Sequence, residues 1–308
     1  MSDIVILSQE ELCNEFYKSN IKIKDIITES FELDKKFFIG RIPGVECMIC
    51  YNLPKKQISD LHVYQLINNA GINIKSYDDI RQYVFEMLKA FQKTTAVAIW
   101  ERQSDVYKHT GLGQDYLCKI SKGIEVYAVA LEPFRFLNKH EHWGQCLKGK
   151  NILVISSFCD SMKTQIKSKN IENIFGDKTW LEQCKFTFVK PPVTLAGNHE
   201  NKSWQEHFSD FKIRLSSQVN ELEVKPDVVL VSCGGYGMPV CNYIYSELKL
   251  STIYIGGSLQ LFFGIMGKRW LNDKDMSYFF NKYRQYWIFP SDVEKPLNMN
   301  KVERGCYW

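Results

Sequence analysis

The chain has 308 residues with 39 Lys and Arg against 35 Asp and Glu, a formal net charge of +4, and is 45% hydrophobic and 24% charged. That balance excludes a disordered or collagen-like chain, and so small a positive surplus calls for no nucleic-acid partner. A chain this long can bury a core that needs neither disulfides nor a structural metal. Ten scattered cysteines, Cys13, Cys47, Cys50, Cys118, Cys146, Cys159, Cys184, Cys233, Cys241 and Cys306, fit free thiols in a reducing compartment better than a disulfide framework. The first residues lack a basic n-region, and no run approaches the ~18 apolar residues of a membrane span. The expectation is a soluble cytoplasmic protein without a transmembrane segment; its oligomeric state is left open.

In chain order, 10–17 and 25–33 carry apolar residues at helical spacing, and 36–39 is a short strand candidate. It runs into the turn Gly40-Arg41-Ile42-Pro43-Gly44-Val45-Glu46, followed by a helix marked by Cys47, Ile49, Cys50 and Leu53. Ser76 to Asp79 can cap a helix striped by Ile80, Val84, Met87, Leu88 and Phe91. From about residue 95 apolar runs at 95–100, 124–131, 151–155, 185–189, 228–231 and 252–255 read as strands. A helix is expected over 203–219, and another after Gly234-Gly235-Tyr236-Gly237, through Leu248. Strand, glycine turn, helix, strand is a βαβ unit, so the expected fold is α/β with a parallel sheet flanked by helices. No linker divides the chain, and it reads as one domain: a mainly helical N-terminal portion, 1–93, and a nucleotide-binding portion, 94–308.

The glycine turn at 235–237 matches two positions of a dinucleotide fingerprint and fails at the third, Val240, while the next strand ends in Gly256-Gly257 rather than an acid. A dinucleotide or S-adenosylmethionine site is therefore disfavoured; a plain tight turn, or a nucleotide held by another geometry, remains. Gly267-Lys268 is not a P-loop, because Phe262 and Arg269 stand where Gly and Ser or Thr are required. Lys268 and Arg269 could still neutralise a diphosphate, with Trp270 for stacking, or form a solvated basic turn. Cys47-Met48-Ile49-Cys50 is a lone CxxC, read as two small hydrophobes on a buried helix. Glu46 and Glu132 stand where a strand's carboxyl end is expected, the usual place for ligand and catalytic groups, although a helix start favours a carboxylate by itself.

Arg41 to Glu46, Asp227 to Gly237 and Ile253 to Gly257, in that order, resemble the GT-D type glycosyltransferase domain. Gly256 to Trp270 and Val302-Glu303-Arg304-Gly305-Cys306-Tyr307-Trp308 are similar to an uncharacterised bacterial and viral group associated with surface polysaccharide synthesis. The resemblance implies a Rossmann-like fold and transfer of a sugar from a nucleotide-diphosphate donor to a glycan acceptor, often with a divalent metal, Mn²⁺ or Mg²⁺. Of the family's Arg-x-Gly-Asp-Gly-Glu, Arg41 and Glu46 hold the first and last positions, and Gly44 replaces the Asp. Glu46 is thus the implied metal ligand or catalytic base, with Glu132 and Asp160 as further candidates for the base. Gly40, Arg41, Gly234, Gly235, Tyr236, Gly237, Gly256, Gly257, Gln260, Lys268 and Arg269 are the expected donor-binding residues. The alternatives are a non-catalytic nucleotide-sugar or glycan-binding protein and an S-adenosylmethionine-dependent methyltransferase.

Overall fold

The computed structural model describes residues 6–176, 180, 181 and 183–308. Among them are seven parallel strands: β1 Phe38–Arg41, β2 Ala96–Ile99, β3 Ile124–Tyr127, β4 Asn151–Ser156, β5 Lys185–Val189, β6 Val228–Ser232 and β7 Ser251–Tyr254. They form one sheet in the order β3-β2-β1-β7-β6-β4-β5. Ile39 is paired with Ala96 on one side and Ile253 on the other, so β1 lies inside the sheet. The fold is α/β, as the strand runs imply, and Rossmann-like, as the resemblance implies. The first portion, 1–93, supplies an inner strand, since β1 is paired with both β2 and β7.

Alternate residues of the inner strands enter two cores, as a doubly covered parallel sheet requires. Ile39, Ala98, Val154, Leu230 and Ile253 face one layer. It contains α1 (Gln9–Glu32), α6 (Cys159–Lys167), α9 (Lys274–Lys282) and several short 3-10 turns. Phe38, Val97, Leu153 and Val229 face the other. That layer holds α2 (Gly44–Asn52), α3 (Asp60–Asn68), α4 (Tyr77–Phe91), α5 (Asp105–Ile120), α7 (Trp204–Asn220) and α8 (Gly237–Ser246). Ser76 does cap α4, accepting from the Asp79 amide while Asp79 returns a bond to the Ser76 amide.

The run 124–131 is not one strand. β3 ends at Tyr127, where its partner β2 ends at Ile99, and Ala128–Leu131 turns as a 3-10 helix into the core. None of the helices is long and apolar enough to cross a membrane among the described residues.

Candidate functional site

All strands point the same way, so their carboxyl ends share one edge, with β1 and β7 side by side in the middle. Arg41 is the last residue of β1, and its Nη1 donates to the carbonyl of Ile255, just beyond β7, at 2.5 Å. Its guanidinium stands 4.8 Å from the ring centroid of Trp100, which follows β2. Gly256 turns beside it with φ of 77°, and a Cβ there would lie 3.0 Å from Arg41 Nη1.

Extended Pro43 leads into α2 and places Glu46 in its first turn, 7% exposed. Burial pushes its carboxyl up to about 7, opposed by its own and the Val45 amide and reinforced by the negative charge of Glu303. A carboxyl poised there can exchange a proton near neutral pH. Its charge also reaches the buried hydroxyls of Tyr83 and Tyr254, which burial in the first place raises far above the usual phenol range. Cys47 and Cys50, in the same helix, are buried and free, and burial holds both thiols protonated, so the CxxC is apolar filling.

The first glycine turn packs against protein. Gly235 N–H donates to Ala70 O at 2.8 Å, Tyr236 N–H to Cys233 O and Gly237 N–H to Gly234 O. The Gly234 and Gly235 carbonyls accept from the hydroxyls of Tyr254 and Tyr83. A Cβ on Gly237 would fall 2.2 Å from the Tyr254 ring, and one on Gly40 would fall 2.8 Å from both Met238 and Thr94. The amides of Gly235, Tyr236 and Gly237 are thus engaged within the protein, and Gly40 and Gly237 sit where a Cβ would collide with packed side chains.

Gly256 and Gly257 are partly exposed, and beside them lies a residue the sequence reading did not assign to the site, Tyr307. A Cβ on Gly257 would be 2.2 Å from the Tyr307 ring, and one on Gly267 would be 2.7 Å from the Tyr307 carbonyl oxygen. Arg269 Nη1 donates to the Tyr307 hydroxyl at 3.0 Å, and its Nη2 pairs with Glu303. Buried Gln260 donates to Tyr307 O at 3.2 Å. Its Oε1 and the buried Ser258 Oγ have no hydrogen-bond partner among the described residues. Lys268 is exposed, and Trp270 is buried with its ring 5.9 Å from that of Tyr307. The signal for this group lay in the run Val302 to Trp308, used above only for its resemblance.

Of the two further candidate bases, Glu132 is engaged elsewhere. Glu132 is buried with its Oε2 2.6 Å from Arg135 Nε, in a network that includes Asp273 and Asp275. It serves as counter-ion to a largely buried guanidinium. Asp160 is exposed in the first turn of α6, 3.9 Å from Lys163. The amides of Asp160 and Ser161 at that helix start both donate to Glu294.

Glu46 could supply one carboxylate to a divalent metal, whose other oxygens would come from a bound diphosphate and water. No group of three His, Cys, Asp or Glu converges on one point among the described residues, and hard cations take about six oxygens. Gly44 offers no carboxylate, and Glu303 is turned to Arg269. No family model, curated protein or solved structure matches the chain. The arrangement that remains is a buried carboxyl, two arginines and a glycine turn at the ends of adjacent strands.

Proposed function

We propose that this protein is a cytoplasmic glycosyltransferase that moves a sugar from a nucleotide-diphosphate donor to a glycan acceptor, in surface polysaccharide synthesis. The observation that carries the reading is the placing of Arg41 at the end of β1, against Gly256 beyond β7, with the buried carboxyl of Glu46 in the first turn of the helix that follows β1. The resemblance in the same short segments supports it, and ten free cysteines suit the compartment.

In the reaction, the anomeric carbon gains a bond to the acceptor oxygen as its bond to the diphosphate oxygen breaks. The bonding pair leaves with the diphosphate, and Arg41 and Arg269 offset the charge that develops there. Glu46 takes the acceptor hydroxyl proton, for which a carboxyl near 7 is suited. No step is routed through a metal.

A thermal-shift screen with UDP, GDP and their sugars, followed by a donor-hydrolysis assay, tests this. Stabilisation with turnover is expected. Stabilisation without turnover would convert the reading to that of a non-catalytic nucleotide-sugar binder, and a shift with S-adenosylmethionine alone would replace it with methyl transfer.

A further inference from the structure

The segment 299–308 brings a carboxylate to the guanidinium that donor binding would use. Glu303 pairs with Arg269, and Glu303 Oε2 also accepts from the Cys306 thiol at 3.3 Å. The neighbouring Tyr307 hydroxyl accepts from Arg269 Nη1 at 3.0 Å. Tyr307 is held over the Gly257 turn, on the side of the site where Arg41 ties β1 to Ile255. The charges of both Arg269 and Arg41 act on its hydroxyl, so one phenol lies within reach of two cations that come from different parts of the chain.

The side chains of Arg269 and Glu303 are each 41% exposed. An ion pair so open to water is weakly held, and its carboxylate can leave for solvent at little cost. A diphosphate offers more charge and more acceptor oxygens than one carboxylate, in the geometry that guanidinium groups bind in pairs.

We propose that Arg269, bonded to the Tyr307 hydroxyl, and Arg41, beside the Gly256-Gly257 turn that Tyr307 covers, form a diphosphate site, and that Glu303 is a built-in competitor which the diphosphate displaces. The anion's identity rests on the donor reading above; the competition by Glu303 rests on the contacts of Arg269. Glu303 thus sets the concentration of anion needed to open the site, and it shields Arg269 from ordinary singly charged anions.

The test is calorimetric titration of the full-length chain with inorganic pyrophosphate. Glu303→Gln should tighten binding by about fivefold, the equivalent of releasing one exposed ion pair. Arg269→Gln should weaken it by about tenfold or more, and the double variant should match Arg269→Gln, because Glu303 competes with the anion for that guanidinium. Asp292→Asn, which removes an exposed carboxylate paired with Lys295 in the same part of the chain, should change nothing. Glu303→Ala serves as a second variant, and circular dichroism melts confirm that each protein is folded.

Unchanged or weaker binding by both folded Glu303 variants would overturn the proposal. Equal tightening by Asp292→Asn would also overturn it, since the effect would then be general charge. The glycosyl-transfer reading fails separately: Glu303→Gln could tighten pyrophosphate while no sugar nucleotide is turned over. Conversely, turnover with an unaltered pyrophosphate affinity in Glu303→Gln would sink this inference alone.

Discussion

Glu294 and Glu303 come from the same closing stretch of chain and reach the same side of the protein, yet they are held differently. Glu294 is 3% exposed and accepts from the amides of Asp160 and Ser161, at 2.8 and 3.1 Å, and from the Ser161 hydroxyl. It fills the start of α6 beyond β4, next to β6, where the chain leaves neighbouring strands in opposite directions and open α/β folds usually take ligands. Trp308 closes that crevice, its ring 6.1 Å from that of Phe158 and its Nε1 donating to Glu294 O. Glu303 instead rests on one half-exposed arginine. A carboxylate that satisfies several buried donors is part of the framework. One that meets a single wet cation can be exchanged for a ligand of the same charge. The usual crevice is thus occupied by the protein itself, and the candidate site lies two strands over, between β1 and β7.

The largest expected effect is at the group the open region serves. Glu46→Gln should lower donor turnover by about 100- to 10,000-fold in a hydrolysis or transfer assay while the protein stays folded, the usual range for loss of a general base. Unchanged turnover would remove Glu46 from the chemistry and leave the β1–β7 region without a base.

At the closed region, Glu294→Ala should cost about 3 kcal/mol in urea unfolding, because it strips a buried helix start of its acceptor. A cost below about 0.5 kcal/mol would erase the distinction between the two carboxylates.

The pH response comes next. Below its ordinary value of 4.5 Glu46 is protonated whether folded or not, whereas between 4.5 and about 7 only the unfolded chain gives up the proton. Stability should therefore fall as pH rises through that window, by at most ~3 kcal/mol, and Glu46→Gln should remove this part of the slope. Unfolding at pH 5 and pH 8 measures it; parallel behaviour of the two proteins would mean that Glu46 is not held up by burial. The same ionisation predicts that turnover increases with pH through about 7.

The smallest effect belongs to the open pair. Glu303→Gln should change unfolding stability by less than about 0.5 kcal/mol. A loss as large as that for Glu294→Ala would make Glu303 framework too.

Much of the fold is legible in the residues. Apolar runs such as Val228 to Val231 and Asn151 to Ile155 mark strands covered on both faces, and Ser76 with Asp79 marks a helix start, because burial and capping act over neighbouring residues. Arg41, Glu46 and Gly256-Gly257 could be singled out as candidates from their places at strand ends and turns. The rest required tertiary structure. A glycine turn reads the same whether its amides face a phosphate or, like that of Gly235, the carbonyl of Ala70. The stretch at 36–39 does not reveal that Phe38 and Ile39 begin an inner strand that continues to Arg41. Only in space is the further candidate Glu132 separated from Glu46, since Arg135 claims the one and burial raises the other. Glu303 and Tyr307 reach Arg269 only because the chain folds back over Gly257 and Gly267. The sequence alone determined where the strands lie, several of the helices, and which residue types could do chemistry. Tertiary structure decided which of them meet and which are already satisfied, because hydrogen bonding, desolvation and charge depend on neighbours in space.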